Sequence, residues 1–208
     1  PKVFSNYAGI LRLSGKLKEA EVLLRKAIEL NPEFPKAHAN LGSILYDLDK
    51  LKDAELSFFK AIEINPKDPE AHCNLGKVLS DLGKLEEAEL SCLKAIELNP
   101  NYSNAHSNLG NVLSRLGKLE EAELSQLKAI ELNPNYVAPY FSLSTLKYSD
   151  ENQIWKNQLF SENILNHKSN EDKINIYFAR ANILHKEKNY EDSSKFLKLA
   201  NQLKLSLH

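Results

Sequence analysis

Apolar and small side chains recur along this chain in two short phases, and the pair of phases repeats every 34 residues. Within each unit, positions 4, 7, 8 and 11 fall on one face of a first helix, and positions 20, 24, 27 and 28 on one face of a second. Counted this way the units are 1–34, 35–68, 69–102 and 103–136, with a proline at position 32 of each (Pro32, Pro66, Pro100, Pro134). Position 8 is small (Ala8, Gly42, Gly76, Gly110), and positions 20 and 27 are alanine from Ala20 and Ala27 to Ala122 and Ala129. Small residues at matched heights let two backbones approach closely, so every unit predicts a tight helical hairpin.

The punctuation agrees with this reading. Gly15, Gly83 and Gly117 stand where the first helix needs a left-handed terminating residue, and Asp49 takes that place in the second unit. Asn-Pro closes each second helix, because the residue before proline is pushed out of the helical region. Asp68-Pro69 reads as an N-cap followed by proline in the first turn. Acidic pairs such as Glu86-Glu87 open second helices, where the helix dipole favours negative charge.

Two positions break the pattern. Position 4 is Phe4 and then His38, His72 and His106, while position 24 runs Leu24, Phe58, Cys92 and Gln126. Burying Gln126 unpaired would cost about 1–3 kcal/mol, so the array is expected to change neighbours just after it. From Val137 the repeat blurs, with Lys147 at position 11 and Lys156 at position 20. Glu151 to Asn166 predicts one longer amphipathic helix within a divergent fifth hairpin, 137–173. Counting afresh from Ile174 restores the phase (Ala181 at 8, Ser193 at 20, Ala200 at 27) and predicts a sixth hairpin, 174–208, that caps the array.

Composition narrows the function more by exclusion than by indication. The 27 basic and 28 acidic residues leave a net charge of -1, which favours neither nucleic acid nor an anionic membrane. No apolar run approaches the roughly 20 residues of a spanning helix. The chain opens on Pro1 without a signal-peptide pattern and holds no methionine, which reads as a piece of a longer, cytoplasmic protein. The two cysteines, Cys73 and Cys92, do not make a secreted disulfide framework. Two free, part-buried thiols are the expectation, with a Cys73–Cys92 bridge the alternative.

Catalytic chemistry is missing from the pattern. A phosphate-cradling loop depends on glycine, and none occurs after Gly117. No nucleophile elbow or metal-binding HExxH helix is present, so neither an enzymatic activity nor a cofactor is expected. The column His38, His72, His106 would need imidazoles converging within about 2.0–2.1 Å of one metal. Equivalent positions on packed helices stand roughly 8–10 Å apart, so these histidines are expected to line a packing seam. Arg180 and its neighbouring lysines are expected on a solvated face.

Small at 8, alanine at 20 and 27, and proline at 32 is the signature of the tetratricopeptide repeat, which residues 1–136 closely resemble. The resemblance implies an all-α, right-handed superhelical solenoid whose first helices line a concave groove. Position 6 points into that groove and is asparagine throughout: Asn6, Asn40, Asn74 and Asn108. An amide carries donors and an acceptor, so this ladder could hold the backbone of an extended peptide, as such ladders do in other members of the family. Lys77, Asn111 and Arg115, where the third and fourth units differ, complete the expected peptide-binding set. Position 5 carries no lysine, which departs from the basic clamp some relatives use on a C-terminal carboxylate.

The run 138–205 also resembles the segment joining the repeats to the catalytic domain in bacterial sulfotransferases of this family. It carries YFSLSTLKY, a helix around IWKNQLF, and KNYEDSSKFLKLANQL. That resemblance implies a substrate-presenting arm with a catalytic domain beyond His208. A third reading is a structural spacer that self-associates through Leu203 and Leu205 of the last helix. The partner expected is a protein or peptide, and the chain itself a monomer or weak homodimer.

Overall fold

The computed structural model describes residues 1–146 and 154–207, which form α-helices and one 3-10 turn, with no strand among them. Two compact units divide the chain, Pro1–Pro100 and Asn101–His208. The first contains α1 (Lys2–Leu13), α2 (Leu17–Leu30), α3 (Pro35–Asp47), α4 (Leu51–Ile64), α5 (Pro69–Asp81) and α6 (Leu85–Leu98). They pair as hairpins α1/α2, α3/α4 and α5/α6, and each second helix packs on the next first helix. The second unit contains α7 (Ser103–Arg115), α8 (Leu119–Leu132), α9 (Ala138–Thr145), α10 (Ile154–Phe160), the 3-10 turn Glu162–Leu165, α11 (Asn170–Lys186) and α12 (Tyr190–Leu205). Here α7/α8 and α11/α12 are hairpins, while α9 packs against both α8 and α11.

Each tight turn closes the same way. The amide of position 16 reaches back to the carbonyl of position 11, as in Lys16 to Leu11 at 2.9 Å and Lys50 to Leu45 at 2.8 Å. That bond requires the residue between to be left-handed, which glycine supplies at Gly83 (φ 80°) and Asp49 supplies at φ 59°. Asp68 caps α5, its carboxylate accepting from the amides of Glu70 and Ala71. Asn31, Asn65 and Asn99 leave the helical region ahead of their prolines.

Inside each hairpin, position 8 faces position 24. The first hairpin carries Ala8 and Leu24 at these positions, both buried, whereas a β-carbon on Gly42 would lie 2.9 Å from three atoms of the Phe58 ring. A β-carbon on Gly76 would lie 2.6 Å from the Cys92 sulfur and 3.2 Å from the Ala88 carbonyl oxygen. Cys73 and Cys92 are both buried, and no disulfide joins them. Burial is the main cause holding the Cys92 thiol well above its usual titration range.

Gln126 fills the same hole in α7/α8 without any change of neighbours. It is fully buried, and its amide nitrogen donates to the Ser107 carbonyl at 3.0 Å and to Asn111 Oδ1 at 2.8 Å. Its amide oxygen has no hydrogen bond among the described residues. The hairpin therefore takes a glutamine because its own first helix offers two acceptors.

Two expectations for the divergent segment are corrected. The long helix does not run to Asn166: α10 stops at Phe160, Ser161 is extended (φ -69°, ψ 145°), and a 3-10 turn follows. Residues 151–153 and Lys147 lie outside the described residues. The break is held by Arg180, which is not on a solvated face but buried in α11. Its guanidinium donates to the carbonyls of Leu159 and Ser161, each at 2.9 Å, and sits 5.3 Å from the Phe196 ring centre. A buried cation with two carbonyl acceptors satisfies the groups that the broken helix frees. Ser193 takes the alanine position of the last hairpin by spending its hydroxyl on the Ala181 carbonyl at 2.9 Å.

Ion pairs join successive hairpins of the first unit. Glu21 of α2 binds Lys50 at 2.8 Å, and Glu55 of α4 binds Lys84 at 2.6 Å. The hydrogen bond from Lys50, with that from Arg25, holds the Glu21 carboxyl below its ordinary value of 4.5. A depressed carboxylate contributes stability above its unfolded value that is lost as pH falls through its folded value. Glu21→Gln is therefore expected to flatten the decline in melting temperature as pH is lowered past 4.5 and to lower stability modestly at pH 7. Melting curves of both proteins across that range check it.

Candidate functional site

The face expected to bind peptide is built in the first unit by α1, α3 and α5, which are successive neighbours. They carry Asn6, Asn40 and Asn74 at the same register. Asn6 is exposed, and Asn40 is half-buried with its Nδ2 donating to Ser5 Oγ at 3.0 Å. Asn74 is half-buried and receives no hydrogen bond from the described residues. In the second unit Asn108 holds the equivalent place on α7 and is half-buried as well.

Toward the C-terminal ends of the same helices lies a second row, which joins position 12 to position 13 of the next hairpin. Arg12 binds Asp47 at 2.6 and 3.3 Å, and the Tyr46 hydroxyl donates to Asp81 at 2.7 Å. Burial, reinforced by Asp81, pushes the Tyr46 phenol well above its usual value and keeps it a donor. Lys77 sits with its ammonium 4.3 Å from the centre of the Tyr46 ring, an attractive placement. Lys77 is exposed, and Tyr46 gives its ammonium a preferred place. Tyr46 and Ser5 were not among the residues the sequence singled out. Their signal was available, since Asn40–Ser5, Asp47–Arg12 and Asp81–Tyr46 all share a separation of 35, one period plus one.

In the second unit, Asn111 and Arg115 line a cleft of about 220 Å³ with Gly110, Phe141 and Ser142. Asn111 Oδ1 accepts from both Gln126 Nε2 and the Ser142 hydroxyl at 2.8 Å. Its oxygen is fully engaged in fixing α7 to α8 and α9, which leaves only its amide nitrogen for a ligand.

The histidine column serves packing. His38 Nε2 lies 2.8 Å from the Pro32 carbonyl and His72 Nε2 3.0 Å from the Pro66 carbonyl. Tyr140, at the corresponding place in α9, donates to the Pro134 carbonyl at 3.0 Å. A proline carbonyl accepts only, so each imidazole is protonated on Nε2 and ties its helix to the end of the preceding one. Among the described residues no group of three or more histidine, cysteine or acidic side chains is placed to hold a metal. Nor is any helix among them long and apolar enough to cross a membrane.

Models of the tetratricopeptide repeat match residues 11–72, 69–102, 91–123 and 174–206. The resemblance of 138–205 to a sulfotransferase linker finds no support there, because 174–206 matches the repeat itself. No curated protein matches the chain. Among solved structures it is similar to PilF of Pseudomonas aeruginosa, at 20% identity and a TM-score of 0.75, covering 97% of this chain and 90% of that one. It is similar to MamA of Desulfovibrio magneticus RS-1 at 16% identity and a TM-score of 0.60, covering 99% and 95%. YrrB, described as having an unusual peptide-binding site, matches at 23% identity and a TM-score of 0.61, covering 89% and 90%. At these identities the likeness shows the fold alone.

Proposed function

Because the chain belongs to the tetratricopeptide-repeat family, we propose that it is a protein-interaction module that docks an extended peptide across its first helices. The observation that carries this reading is Asn74, a half-buried amide with donor and acceptor both unspent, in a row of identical amides. An amide with no protein partner can bind a ligand without first breaking a hydrogen bond of the fold. Asn40 commits one N–H to Ser5 and keeps its carbonyl oxygen and second N–H. Equivalent positions on packed helices stand roughly 8–10 Å apart, close to three residues of extended chain at about 3.3 Å each. Each rung therefore meets every third peptide unit, and recognition is of backbone more than of side chains. Lys77, placed by Tyr46, adds a positive charge at one edge and favours a segment with an acidic residue there.

The test uses peptides selected from a random display library on the whole chain. Replacing Asn40 and Asn74 with alanine removes two hydrogen-bonding groups worth about 1 kcal/mol each. The expected loss is on the order of thirtyfold in affinity, with helicity by circular dichroism unchanged. Unchanged affinity in the double variant would mean that the amides do not hold the ligand.

A further inference from the structure

Position 22 of each second helix lies on the face turned away from its hairpin partner, where polar residues are expected, yet it is apolar in each of the four regular repeats. Val22, Leu56 and Leu90 of the first unit are 65%, 67% and 68% exposed, and Leu124 of the second is 67% exposed. Phe59 and Leu93, three residues further along α4 and α6, are each 45% exposed and widen the row. Apolar side chains recurring at one exposed register form a patch rather than scattered singles. This row lies on α2, α4 and α6, whereas the peptide-binding face belongs to α1, α3 and α5.

The charges beside the row say what covers it. Three residues before position 22 stands an acid (Glu19, Asp53, Glu87), and four residues after it a lysine (Lys26, Lys60, Lys94). The spacings of three and seven put acid, apolar residue and lysine on one stripe of the helix. A second helix laid antiparallel about position 22 brings each acid opposite a lysine, and each lysine opposite an acid. A parallel helix brings like charges together. A two-fold axis lying in the interface and perpendicular to the helices at position 22 matches the row to itself, setting α2, α4 and α6 each antiparallel on its own copy. We infer that this face is a dimerisation surface, occupied by a second copy of the chain in antiparallel, two-fold register. An anionic membrane fits poorly, since acids flank the row as regularly as lysines do.

Sedimentation of the whole chain over a wide concentration range tests this. The wild type is expected to pass from monomer to dimer as concentration rises. Leu56→Glu with Leu90→Glu should weaken that equilibrium by at least about thirtyfold while circular dichroism stays unchanged. Lys60→Glu with Lys94→Glu should weaken it as well, and adding Asp53→Lys and Glu87→Lys should restore it, since the charges then face each other in reverse. A wild type that remains monomeric throughout overturns the inference. So does a dimer indifferent to the leucine changes, including one lost only when Leu203 and Leu205 are made polar. Failure of the four-residue swap to restore the dimer refutes the antiparallel register. None of these outcomes depends on whether the opposite face binds peptide.

Discussion

Arg180→Met is expected to destabilise the second unit by about 2–4 kcal/mol, lowering its melting temperature by roughly 5–12 °C. Methionine retains the apolar stem among Phe160 and Phe196, so the change isolates the loss of the guanidinium. Both carbonyls that it holds, of Leu159 and Ser161, then lose a charged donor. The Leu159 interaction is buried, and water replaces a buried donor least well. Arg180→Lys should recover only part of the loss, because one ammonium lacks the planar fork that spans two carbonyls. Equal stability of the methionine and wild-type proteins in a thermal melt would show that the break after Phe160 is held by something else.

Gly42→Ala is the second large effect, and its sign is set by two opposed terms. Alanine favours a helix over glycine by about 1 kcal/mol. Against this, the new methyl group would stand 2.9 Å from three atoms of a ring that is 1% exposed and has nowhere to turn. Overpacking of this kind costs typically about 1–3 kcal/mol and sometimes more, so a net destabilisation is expected. The first unit shows the remedy, since it pairs Ala8 with Leu24. Combining Gly42→Ala with Phe58→Leu should therefore be more stable than the sum of the two single changes by at least about 1 kcal/mol. Additive losses in denaturant unfolding would contradict direct contact between the two positions.

These cases mark where sequence reading reaches its limit. Within the four regular repeats the period of 34 exposes the positions that must be small and the turns that must be left-handed, because those demands recur, whereas the left-handed His167 of the divergent segment has no such signal. What fills the hole opposite position 8 does not recur. Leucine, phenylalanine, cysteine and glutamine all succeed there, and Gln126 succeeds only because Ser107 and Asn111 offer acceptors that no periodicity reveals. Arg180 was unreadable for a similar reason. It lies where the repeat has drifted, and the helix break that it stabilises carries neither glycine nor proline to announce it. The groove was half legible. The asparagine row follows from register alone, but whether each amide is open or spent depends on its neighbour. Asn40 finds Ser5, while Asn74, facing Ala39 at that place, finds none. Lys77 likewise is placed by Tyr46, which is one period away in space and 31 residues away in sequence.

The central claim is that the asparagine row reads peptide backbone at every third unit. It is tested most directly by methylating the backbone nitrogens of a selected peptide one at a time and measuring each affinity for the whole chain. Losses recurring with a period of three residues, alongside near-constant affinity when the same side chains are changed to alanine, are the predicted result. Losses that follow the side chains and ignore backbone methylation would contradict it.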